Sequence, residues 1–178
     1  MSEGRIIQEN NKQLRFYNSK TYYRTTGTIR DGNFDFAFQG FRLKSGFDGS
    51  AVFKRFPVLV ARDVFLTAYI LDRDSASIIN RPAPLSIKGS YIEVYDGVIQ
   101  TNEFASTYLS SPSGNAQIDH DAKRSMYVER LENHTLELDD LILTPDKELW
   151  FVANKPSSGG DGDLRVAFNW DELIYTTA

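Results

Sequence analysis

The sequence predicts a mainly β protein folded as a two-layer β-sandwich, with a jelly roll as one form of it and at most one or two short helices. Three observations lead there. Residues 64–71 are apolar on both alternating faces apart from Thr67, with Val64, Leu66, Ala68 and Ile70 on one side and Phe65, Tyr69 and Leu71 on the other. A strand tolerates that pattern only when both its faces are covered, so residues 57–71 read as the central element. Phe34, Phe36 and Phe38 alternate with polar or small residues and mark a half-buried strand. Turn-forming Gly, Pro, Asn and Asp separate most of the apolar runs, which favours short strands over long helices.

Taken in order, residues 1–18 hold only short apolar pairs and are expected to form an N-terminal arm or edge strand, with residues 19–178 as a single sandwich domain. Residues 22–29 are rich in Tyr and Thr, which crowd helices and fit pleated sheets. Asp31-Gly32 suits a tight hairpin turn into the phenylalanine strand, and Gly40 reads as a bend or bulge. Residues 51–56 form a short strand before the central element, and residues 72–84, with Pro82 and Pro84, form an exposed loop. Residues 87–95 return to strand, with Ile92 and Val94 on one face and Tyr91, Glu93 and Tyr95 on the other, and Asp96-Gly97 then turns the chain. Residues 102–111 fit either a helix or a strand. Residues 119–134 space Ala122, Met126, Tyr127 and Leu131 three to five apart, which predicts one helix over two strands. Short strands follow at 136–138, 141–143 and 149–153, then a Gly-rich loop at 155–163. The last strand puts Leu164, Val166, Phe168 and Trp170 on one face, with the remaining residues as an extension or a hook.

Composition narrows the chemistry. The 178 residues suffice for one domain with a substantial core. With no cysteine, disulfides and thiolate metal sites are excluded. Twenty Lys and Arg against 24 Asp and Glu give a net charge of -4, which opposes general phosphate binding and leaves nucleic acid an unexpected partner. Neither a signal peptide nor an apolar run long enough for a membrane span is visible.

Catalytic signatures are weak. There is no G-x-S-x-G elbow, P-loop or dinucleotide fingerprint, and the two histidines, His120 and His134, are too far apart for one helical turn of metal ligands. No catalytic, cofactor-binding or metal residue is assigned. Asp161 with Asp163, and Asp72 with Asp74, have a spacing that a calcium ion could use, although solvated turns explain them as well. Asn133-His134-Thr135 matches a glycosylation acceptor, a triplet that chance also supplies. Aromatic residues carry more weight. Tyr91, Tyr95 and Trp150 are the candidate interaction residues, with Trp170 added if the ligand is a sugar.

The favoured reading is a non-enzymatic structural or assembly subunit, a virus or bacteriophage virion component in a decoration, collar, tail or fibre-associated position. Its expected partners are other protein subunits, copies of itself included. Its expected location is the virion. A carbohydrate-binding β-sandwich that takes a cell-surface glycan is the first alternative. An enzyme with paired carboxylates, Glu93 and Glu129 serving as examples, is the second.

Overall fold

A computed structural model describes residues 12–26, 28–29, 35–75, 78, 81–97, 122–128, 133–136, 141–154 and 161–177. The described residues form twelve strands and no helix: β1 (Lys12–Thr25), β2 (Asp35–Leu43), β3 (Gly49–Phe53), β4 (Phe56–Val60), β5 (Val64–Asp72), β6 (Leu85–Ser86), β7 (Ile92–Asp96), β8 (Ala122–Val128), β9 (Asn133–Leu136), β10 (Leu141–Leu143), β11 (Lys147–Asn154) and β12 (Leu164–Thr177). They divide into two six-stranded sheets. The first runs β10-β3-β12-β4-β9 with β1 on the other side of β12, and the second runs β6-β7-β2-β11-β5-β8.

Pairing is antiparallel throughout and nested. β1 pairs with β12, β2 with β11, β4 with β9, and β5 with β8. Each inner pair lies between the partners of the pair outside it, so the chain is one long antiparallel hairpin rolled into two layers. The fourteen-residue β12 is flanked on one side by β1 along nearly its whole length. On the other it meets β4 at Leu164–Val166 and β3 at Trp170–Ile174.

Facing rows of rings hold the layers together. Phe41 of β2 has its ring centroid 4.9 Å from Phe53 and Phe168, 5.5 Å from Trp170 and 6.1 Å from Phe151, and all five side chains are buried. Phe36 and Phe38 join the same core. The two-residue period of Leu164, Val166, Phe168 and Trp170 puts all four inside, as their alternation requires.

Three elements differ from expectation. The strands enclosed on both faces are the neighbours β2 and β11, buried at residues 36–41 and 148–153, so the phenylalanine strand expected to be half-buried is covered on its Ala37 and Gln39 side as well. β5 is second from its sheet's edge and leaves Phe65 exposed. The helix expected over residues 119–134 is replaced by β8 and β9. β5 is paired with β11 on one side, and its opposite edge would otherwise present a row of unpaired N–H and C=O groups. β8 covers that edge from Val64↔Val128 to Tyr69↔Ala122, and this ladder overrides the helical spacing of the apolar residues.

The irregularity expected at Gly40 lies two residues earlier. Gln39 pairs with Phe151 and Ala37 with Val152, so Phe38 is the extra residue of the bulge. Gly40 has another role, because a Cβ there would fall 2.6 Å from the Trp150 ring. The absence of a side chain lets that ring lie across the strand. The Asp31-Gly32 turn, Phe34, residues 102–111 and most of the Gly-rich loop lie outside the described residues.

Candidate interaction surface

The predicted ring face is not open. Tyr95 is 1% exposed and Trp150 fully buried, because the outer face of the second sheet carries its own apolar cluster of Ala37, Tyr69, Leu71, Ile78, Tyr95, Trp150 and Val152. Ile78 and Arg81 come from the segment after β5 and pack onto the sheet, whereas Asp72, Asp74, Ala83 and Pro84 of the expected loop are exposed. Tyr95 and Trp150 stack with centroids 5.2 Å apart, and the Arg81 guanidinium lies 5.3 Å from the Tyr95 ring and 5.6 Å from the Trp150 ring. Trp170 is also buried, in the main core. These three rings therefore pack the fold, and the surface role expected for Tyr95 and Trp150 is corrected.

Buried Glu148 organises the outer cluster. Its carboxylate accepts from Arg81 Nη1 at 2.6 Å, Trp150 Nε1 at 2.9 Å and the Asp74 backbone N–H at 3.2 Å. Arg81 also donates to the Ser75 carbonyl at 2.8 Å, which closes the segment on itself, while Arg81 and the Asp74 N–H both attach it to Glu148 of β11. A second buried acid, Glu172, accepts from Ser90 Oγ at 2.7 Å, the Tyr91 backbone N–H at 2.6 Å and Trp170 Nε1 at 3.1 Å. Each carboxylate thus has its own set of donors, as burial demands.

Tyr91 precedes β7 and escapes the alternation assigned to it. Its ring stacks on Phe47 at 4.2 Å and meets Tyr17 at 5.1 Å, forming a partly buried aromatic group at one end of the sandwich. Among the candidate calcium residues, Asp72 pairs with Lys147 at 2.5 Å, Asp74 with Arg42 at 3.5 Å and Asp163 with Arg165 at 3.6 Å. Glu93 is bound by Arg42 Nε at 2.8 Å. His120 and Glu129 lie outside the described residues, and His134 sits in β9 opposite Val58. Among the described residues no three His, Cys, Asp or Glu side chains gather as a metal site, and no helix is long and apolar enough to cross a membrane.

The surface that stands out is β1. Among the described residues it has one partner, β12, so its other edge leaves alternate N–H and C=O groups unpaired. Position 18, expected as a boundary, falls inside this strand. Leu14, Phe16 and Tyr23 are exposed, Phe16 at 64% and Tyr23 at 79%. They lie opposite Tyr175, Leu173 and Ala167, on the face of β12 that points away from the core. Between them Thr21 donates to Asn169 at 2.7 Å and Ser19 hydrogen-bonds Asp171, so the ribbon is cross-linked on that face. A shallow groove of about 530 Å³ runs beside these residues to Lys54, Arg55 and Pro57.

The other face of β1 closes the rim of the sandwich. Tyr22 donates to Asp96 at 2.5 Å, Arg24 donates to the Gly97 carbonyl at 2.6 Å and Asn18 donates to the Gly89 carbonyl at 2.7 Å. Burial raises the Tyr22 phenol above its ordinary value near 10, and the hydrogen bond to Asp96 adds to the rise. The folded state thus holds the proton more tightly than the unfolded chain. The resulting stabilisation is complete below about pH 10 and is lost as pH climbs towards the folded value. Urea midpoints measured between pH 8 and pH 11 should therefore fall more steeply above pH 10 for the natural chain than for Tyr22→Phe. Equal slopes would contradict this role for Tyr22.

No family model matches the chain, and no curated relative matches it. Among solved structures, a chain of Desmodium yellow mottle tymovirus is similar at a TM-score of 0.31 and 7% identity, over 90% of this chain and 90% of that one. A chain of empty-head turnip yellow mosaic virus is similar at a TM-score of 0.27 and 9% identity, over 92% of this chain and 84% of that one.

Proposed function

We propose that the chain is a jelly-roll structural subunit without enzymatic activity, which builds a larger particle through protein contacts with other subunits and with copies of itself. A virus or bacteriophage virion, in a decoration, collar, tail or fibre-associated position, is the assembly this reading favours. The observation that supports it is the edge of β1 that no described residue pairs, on a fourteen-residue strand with Leu14, Phe16 and Tyr23 exposed along it. Natural sheets usually shorten, bend or cover such an edge, because it invites another strand to add. Here it is long and lined with rings, as a docking edge requires. The double-sided packing of the second sheet supplies a rigid support. Light scattering across a concentration series tests the reading. The natural chain should associate, and the double variant Phe16→Ser/Tyr23→Ser, which changes only exposed side chains, should weaken association by roughly tenfold or more. Identical association curves for the two would refute contact through β1.

A further inference from the structure

We infer that the strand which docks on β1 is an acidic extended segment and not the β1 of a second copy. This rests on the assembly reading above and adds the chemistry of the partner.

β1 contains Lys12, Arg15, Lys20 and Arg24 and no acidic residue, in a chain whose net charge is -4. The order of these cations in space depends on the bulge. Simple alternation would place Arg15 on the face opposite Lys20 and Arg24. The register shift between Phe16 and Asn18 makes Tyr17 the extra residue and moves Arg15 across. The partners of Arg15, Lys20 and Arg24 on β12 are Ile174, Trp170 and Val166, all on one face of that strand and four residues apart. Four residues of strand span about 13 Å, so the three cations form an evenly spaced row beside the edge that no described residue pairs, on the face of β1 that closes the rim, where Arg24 already donates to the Gly97 carbonyl. Leu14, Phe16 and Tyr23 occupy the other face.

Arg15 and Lys20 make no ion pair with the described residues, and Arg24 is shared with Asp96 at 3.4 Å. A strand that complements this edge carries carboxylates at every fourth residue on one face and apolar side chains on the other. Its backbone would complete the ladder while its acids meet the cationic row. Self-pairing of β1 about a twofold axis fails this requirement. It would bring four cations from each copy onto one two-stranded ribbon with no acid to separate them, and like charges across a ladder repel. A contact between β1 and a different surface is heterologous, the type that propagates into rings or shells and does not stop at a dimer.

The test uses the full chain labelled with nitrogen-15 and two blocked nonapeptides, EVTVEVTVE and KVTVKVTVK. The glutamate peptide should shift the amides of residues 13–25 and bind roughly tenfold more tightly than the lysine peptide at low salt. The double variant Arg15→Glu/Lys20→Glu, whose positions are at the surface, should reverse that preference. The inference is overturned if the lysine peptide binds β1 as well as the glutamate peptide does. It is also overturned if neither peptide moves β1 while association of the chain remains sensitive to Phe16→Ser/Tyr23→Ser, and in that case the assembly reading survives. Failure of both peptides together with association indifferent to β1 removes both.

Discussion

Phe41→Ala should lower the unfolding free energy by about 3–5 kcal/mol, read as a shift of the urea midpoint at unchanged slope. Phe41 belongs to the second sheet, yet it touches rings of both layers: Phe53, Phe168 and Trp170 across the core and Phe151 beside it. Strands on either side of the cavity are held by their own ladders and cannot close over it, so most of the lost contact stays lost. Phe65→Ala is the matched control. That ring is on the exposed side of β5, and its loss should cost less than about 1 kcal/mol. Equal effects at the two positions would show that the layers do not meet through Phe41.

Glu148→Ala should be of similar size, about 3 kcal/mol or more, for a different reason. Removal of this fully buried carboxylate leaves Trp150 Nε1 and the Asp74 N–H without their acceptor and leaves the Arg81 charge above two rings without its counter-ion. Arg81 is partly solvent-exposed and can recover some hydration, so the effect should lie toward the lower end of the range for a broken buried pair. Glu148→Gln retains an acceptor of the same size and should cost less than Glu148→Ala. Denaturation would give the stabilities, and loosening of the segment that covers Trp150 should move its fluorescence to longer wavelength. An Ala variant as stable as the natural chain would refute the view that this acid pins the segment after β5.

Local alternation made the phenylalanine rows legible in the sequence. Phe36, Phe38 and the series from Leu164 to Trp170 each have a two-residue period and face the core, although β2 is buried on its alternate side too, at Ala37 and Gln39, and is not the half-buried strand its alternation suggests. The double-sided apolar character of residues 64–71 was also readable, but it could not rank β5 against β11. That ranking depends on which strands pair, and β11 gains its central place from partners more than seventy residues away in sequence. The burial of Tyr95 and Trp150 was hidden for the same reason: the segment that covers them comes from beyond the end of β5. Residues 119–134 show how a helical spacing can yield to the demand of an open strand edge. The face of Arg15 could not be read at all, since it depends on a one-residue bulge that shifts the alternation at Tyr17. Net charge likewise gave no sign that one edge strand concentrates cations.

Hydrogen exchange resolved along β1 reads out whether its outer edge is open in a single copy of the chain. In dilute, unassociated protein, amides of residues 13–25 that face β12 should exchange slowly. The alternating amides that face the free edge should exchange at rates near those of an open chain, then become protected once the protein associates. Slow exchange at every β1 amide in the dilute protein would contradict the account, because it would mean that the edge is already occupied within a single copy of the chain.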